Sequence, residues 1–150
     1  MAVTMSAARQ YPLVAEVVID FDDYTSGAVL KVFEVPAGAV IQNVELFVDT
    51  AWNNRTTVVI TTIGDGVTAG RYYAAGTFDL KTSPGFFQGT GASPEALITG
   101  YKYTTPDTID IVITEAGGTA PTTGRATMRI TYIISGTGRA METQPVNGSI

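Results

Sequence analysis

Residues 125–134 read Arg-Ala-Thr-Met-Arg-Ile-Thr-Tyr-Ile-Ile, and this stretch decides the fold. Ala126, Met128, Ile130, Tyr132 and Ile134 fall at every second position, with Arg125, Thr127, Arg129 and Thr131 between them. A strand sends successive side chains to opposite faces, so this alternation predicts one apolar face and one polar face. A helix would spread the same residues around its circumference. The period of two returns upstream. Ile109, Ile111 and Ile113 alternate with Thr108, Asp110, Val112 and Thr114, and Val17, Ile19 and Phe21 alternate with Val18, Asp20 and Asp22. Val44, Leu46 and Val48 face away from Glu45, Phe47 and Asp49. Residues 28–35 and the β-branched run 56–63 read as two more strands.

Turn residues separate these runs. Tyr24-Thr25-Ser26-Gly27, Pro36-Ala37-Gly38-Ala39 and Gly64-Asp65-Gly66 mark chain reversals, because proline presets one dihedral and glycine supplies a positive one. Residues 71–80 read as a strand or as part of a long loop. Residues 81–94 hold Pro84, Gly85, Gly89, Gly91 and Pro94 and read as a surface excursion, with order returning over 96–104. A loop over 116–124 precedes the opening stretch. No 3.6-residue apolar stripe and no repeat of fixed period is present. The expected architecture is all-β: a single antiparallel β-sandwich or jelly-roll-like domain of about eight strands over 13–135. Residues 1–12 and 136–150 lack the alternation and read as extended N-terminal and C-terminal arms.

Composition narrows the chemistry. A chain of 150 residues has the size of one domain and buries roughly two-thirds of its unfolded surface. Apolar residues make up 45% and charged residues 15%, against about 25% charged in ordinary domains, so the surface carries few charges. There is no histidine and no cysteine. Disulfides, thiol nucleophiles, Ser-His-Asp triads and the usual zinc and haem ligand sets are therefore excluded within one chain. A net charge of -5 argues against a nucleic-acid partner. The apolar runs are strand-sized, far below the roughly 18 residues of a membrane-spanning helix, so no membrane partner is expected. Residues 1–12 hold one cation, Arg9, and no apolar core of a signal peptide. The expectation is a protein made and used without export.

The remaining motifs are weak. Gly64-Asp65-Gly66-Val67-Thr68-Ala69-Gly70 lacks the Gly-Lys-Ser/Thr ending of a phosphate loop and a helix behind it, so it reads as a turn. Asp20, Asp22 and Asp23, with Glu16 upstream, form the densest acidic cluster, but no loop has the alternating spacing that wraps calcium. A solvated strand end is the reading, and no metal or cofactor is assigned. Carboxylate pairs for glycoside hydrolysis carry no signal among fourteen acidic residues. Aromatic residues offer the candidate interface: Trp52, Tyr72, Tyr73, Phe86 and Phe87, with core packing as the ordinary role for most of them. Phe86 and Phe87 are adjacent in the excursion and cannot both enter one strand core, which leaves a packed loop or an intersubunit anchor.

A resemblance to a known group adds to this reading. It lies in Phe21 with Tyr24-Thr25-Ser26-Gly27, then Val35-Pro36-Ala37-Gly38-Ala39-Val40-Ile41 and Val48-Asp49-Thr50-Ala51-Trp52-Asn53. Ile63-Gly64-Asp65-Gly66, Arg71-Tyr72, Thr99-Gly100-Tyr101, Gly117-Gly118 and Arg125 to Tyr132 through Gly138-Arg139 continue the same order. This order resembles small virion proteins of tailed bacteriophages, and the likeness spans residues 21–139. It rests on turn and strand punctuation and brings no active-site residues. The resemblance implies a structural protein of the phage head, a capsid decoration or cement protein. Such proteins are small, often homotrimeric, and bound across joints between subunits of the major capsid protein. The implied partners are the major capsid protein and further copies of this chain, and the implied location is the virion after synthesis in the host cytoplasm. The alternative is a fibre, tail or host-glycan-binding module of the same kind of particle.

Overall fold

The computed structural model describes residues 11–74, 77–81 and 100–134 and the backbone of 85–88. Nine strands follow in chain order: β1 (Leu13–Asp20), β2 (Val29–Val35), β3 (Ala39–Thr50), β4 (Arg55–Asp65), β5 (Phe78–Asp79), β6 (Gly85–Gln88), β7 (Tyr101–Lys102), β8 (Asp107–Gly118) and β9 (Arg125–Ile134). One sheet has the order β1-β9-β3-β6, with β7 also on β3; the other has the order β2-β8-β4-β5. All pairs are antiparallel. The pairing is nested: β1 joins β9, β2 joins β8, β3 joins β6 and β7, and β4 joins β5. Successive pairs fall in alternate sheets, as in a long hairpin rolled over itself. The result is an all-β sandwich of two antiparallel sheets.

The opening stretch behaves as its alternation demands. Ala126, Met128 and Ile130 are buried in the core, while Arg125 and Arg129 lie on the outer face of β9. From the other sheet Val58, Ile60, Ile63, Ile109, Ile111 and Ile113 meet them. Two β-bulges preserve this facing. In β4 the register shifts between Ile60 and Thr62, which lets both Ile60 and Ile63 point inward although their spacing is odd. In β3 a shift between Ile41 and Asn43 does the same for Ile41 and Val44.

Two glycines are required by geometry. Gly38, at φ 86°, closes the three-residue turn between β2 and β3, where its N–H donates to Tyr103 O at 2.7 Å. Gly124 lies flat under Trp52, and a Cβ there would come within 2.4 Å of the indole ring.

The excursion differs from its reading in one place. Residues 85–88 form β6, which pairs with β3 so that Phe86 lies opposite Phe47 and Phe87 opposite Leu46. Glycine and proline flank a strand there rather than fill a loop. The expected arms begin and end beyond β1 and β9, and residues 1–10 and 135–150 lie outside the described residues.

Candidate interaction site

Strand order leaves one side of the sandwich open. β1 is the last strand of its sheet and β2 the last strand of the other, so two unpaired edges run along the same side. Six large apolar side chains are exposed among the described residues, and five belong to the edge strands: Tyr11, Leu13, Val14 and Val18 on or beside β1, and Val29 on β2. Two grooves border β2, and the smaller of them lies between the two edges. The larger, about 670 Å³, is lined by Phe33, Val35, Pro36, Pro106 and Tyr132 among others, and the rings of Phe33 and Tyr132 meet at 5.3 Å. The smaller, about 270 Å³, is lined by Val17, Val18, Ile19, Leu30 and Val32 together with Asp23 and Lys31. An edge strand is a template for another strand, and natural sheets blunt such edges with charge or proline. Here Val14 and Val18 are 58% and 50% exposed.

Hydrogen-bond phase fixes which backbone groups face outward. The Phe21 N–H donates to Gly124 O at 3.1 Å, toward β9. Amide direction alternates along an antiparallel strand, so odd-numbered residues of β1 bond to β9 and even-numbered ones face the open side. Asp20 is the exception that closes the edge. Its N–H donates to Asp23 Oδ2 at 2.7 Å and its carbonyl accepts from the Asp23 N–H at 3.2 Å. Val14, Glu16 and Val18 therefore present backbone groups with no partner among the described residues.

Charge on this side is negative. On the outer face Arg125 binds Asp20 through two contacts of 2.6 and 3.0 Å, and that pairing, first by its hydrogen bond, holds the Asp20 carboxyl below its ordinary range. Arg129 lies 2.7 Å from Glu16 and 3.8 Å from Glu45 and also covers the Phe47 ring. Both arginines stand on β9, so the β1 strand carries carboxylates only. The acidic cluster of the sequence thus resolves into an ion pair at Asp20 and a turn closure at Asp23. Among the described residues no three carboxylates converge as a cation site would need.

The candidate aromatic residues separate. Trp52, Tyr72 and Tyr73 are 2%, 0% and 4% exposed, so these rings pack in the core instead of forming a surface platform. Phe86 and Phe87 are placed by backbone pairing alone. Tyr72 also joins a buried polar network at the end of the sandwich where β1 begins and β9 ends. Its hydroxyl meets that of Tyr103 at 2.7 Å, and the Tyr103 hydroxyl donates to Asp65 Oδ2 at 2.9 Å. Arg71 pairs with the same oxygen, and its guanidinium covers the Tyr101 ring at 3.6 Å. Backbone N–H groups of Val67 and Thr68 donate to Asp65 Oδ1. Burial alone would raise the Asp65 pKa; Arg71, Thr68, Tyr103 and Val67 outweigh it and keep the carboxyl below its ordinary value. Burial pushes the Tyr103 hydroxyl far above its usual range. This network locks the loop after β4 to the strand before β8 and leaves Asp65 no group with which to act on a substrate.

Sequence reading missed a second lock at the opposite end. Asn53 Oδ1 accepts from the N–H groups of Thr122 and Thr123 at 2.8 and 3.2 Å, and Asn54 Nδ2 donates to Ala120 O at 3.2 Å. Glu115 there accepts from Tyr24 and from Arg55. The adjacent asparagines were the available signal, since short amide side chains bind nearby turns.

No family model and no curated protein matches this chain. Its fold does match chains in solved structures. A chain in the capsid of Ralstonia phage GP4 aligns with a TM-score of 0.60 at 16% identity, covering 91% of this chain and 90% of that one. One in the capsid asymmetric unit of cyanophage Pam1 aligns at 0.59 and 21% identity, covering 89% and 92%. A third, in the acidic stable capsid structure of Helicobacter pylori bacteriophage KHP30, aligns at 0.56 and 15%, covering 83% and 89%. At these identities the shared property is the fold.

Proposed function

We propose that this chain is a non-enzymatic structural protein of a phage virion, which decorates the outside of the capsid by binding the lattice of the major capsid protein. The observation that carries this reading is the near whole-length likeness to chains of three phage capsid structures. The chemistry agrees with it. Asp65, the most deeply buried carboxylate, is used up by internal partners, and both ends of the sandwich are tied by polar locks. A cement protein needs rigidity and an adhesive side, and the open β1–β2 side supplies the second. In this reading the protein acts as a homo-oligomer, a homotrimer, and the segments 1–12 and 136–150 reach neighbouring subunits by adding strands to exposed edges.

Binding only the assembled lattice stabilises that lattice by mass action. The test is to mix purified protein with undecorated heads, measure bound copies by mass spectrometry, and follow the heat stability of the heads. Stoichiometric binding with a raised disassembly temperature is expected. Protein absent from purified virions and unable to bind heads would remove the decoration role.

A further inference from the structure

The β1 edge offers three open positions, Val14, Glu16 and Val18, with two exposed valines on the outer face. Its simplest occupant, the same edge of a second copy, fails on charge. An antiparallel pairing that uses all three positions sets Glu16 opposite Glu16 of the second copy, and like charges directly opposite are destabilising. Sliding by two residues in one direction brings in Asp20, which Asp23 already closes. Sliding in the other brings in Pro12, which has no N–H to give. With Glu16 and Asp20 already paired to Arg129 and Arg125, the edge suits a strand that brings no further carboxylate.

The chain holds one such segment by sequence. Residues 1–10 read Met-Ala-Val-Thr-Met-Ser-Ala-Ala-Arg-Gln, with Arg9 as their single charged side chain and no glycine or proline. Residues 135–150 carry Arg139 and Glu142, which cancel, and contain Gly136, Gly138, Pro145 and Gly148, which weaken a strand. Ten extended residues span about 33 Å, longer than the roughly 26 Å of an eight-residue strand such as β1. We propose that residues 1–10 of one copy dock as an added strand on the β1 edge of a second copy, across Val14, Glu16 and Val18. Such an exchange is a heterologous contact, which closes into a ring when its rotation allows. It rests on the homo-oligomer reading above and names the edge and the copy that the N-terminal segment takes, so it can be tested without a capsid.

The test uses the full chain in solution without heads. Light scattering after size exclusion is expected to show a closed oligomer. Deletion of residues 1–10 and, separately, the pair Val14→Lys and Val18→Lys should each give a monomer with an unchanged far-UV spectrum. Because the chain has no cysteine, two single-cysteine proteins, Met5→Cys and Val18→Cys, report the contact directly. Mixed and oxidised, they should give a disulfide between different chains, lost when Val14 is also changed to Lys. A monomeric full chain would overturn the proposal, as would an oligomer unchanged by the deletion. A disulfide that forms within one chain when both cysteines are placed together, with no cross-link on mixing, would overturn it too.

Discussion

Asp65 shows how a single residue ties loops to core. It is 3% exposed and receives Arg71, Tyr103 and two backbone N–H groups, so its carboxyl titrates below its unfolded value. A group depressed on folding contributes stability that is present above its unfolded pKa of about 3.9 and is lost as pH falls through the folded pKa. Asp65→Asn should cost about 3 kcal/mol at pH 7, because the variant leaves Arg71 without its buried partner. Urea melts of both proteins at pH 7 and pH 3 check this, and the gap between them should narrow in acid. Gly124→Ala should cost about 1–3 kcal/mol by forcing a methyl group into the Trp52 ring. Met128, with no exposed surface, tests the facing of the opening stretch. Met128→Asp buries an unpaired carboxylate at a cost of several kcal/mol and should leave no folded protein by near-UV circular dichroism.

At the scale of one element, β1 has two different sides, and neighbouring residues should respond differently to proline. Val17 turns its amide toward β9, while the amide of Val18 faces the open side. Val17→Pro removes a ladder bond from the interior of a sheet and should cost about 3 kcal/mol or more. Val18→Pro removes an edge donor and should cost much less. Thermal melts of the two variants decide it, and equal losses would mean that the phase assigned to β1 is wrong. The bulges in β3 and β4 belong to the same scale. A period of two read strictly through residues 40–50 or 56–63 puts half of each strand on the wrong face, since one extra residue reverses the side for all that follow.

The molecule as a whole is a nested pairing whose outermost strands lie at opposite ends of the chain, with Leu13 opposite Tyr132. Contacts so distant in sequence form late, because loop closure costs entropy before the contact forms. Refolding from denaturant should therefore be slow for a chain of this size, on the scale of milliseconds to seconds, and stopped-flow fluorescence of Trp52 would follow it. Both ends of the pairing leave on the same side, next to one another. Residues 11–134 expressed alone should fold cooperatively with a β-type far-UV spectrum, because every buried apolar side chain among the described residues falls within that span. Loss of a cooperative melt in that fragment would mean that the terminal segments belong to the core.

Local alternation determined the strand class, the inward face of β9 and β8, and the turns at 24–27 and 36–39, since a side chain's face depends only on its neighbours. The missing histidine and cysteine bounded the chemistry without any structure. Only the tertiary structure decided which strands stand at the edges, because edge position depends on pairings between residues far apart in the chain, such as Leu13 with Tyr132 and Val35 with Asp107. Tertiary structure also separated the aromatic residues. Trp52, Tyr72 and Tyr73 carry the same composition signal whether they face a partner or a core, and strand crossing buries them. Val18 shares the face of Asp20 and Asp22 in sequence, and the structure leaves it and Val14 exposed on the outer face of an edge strand.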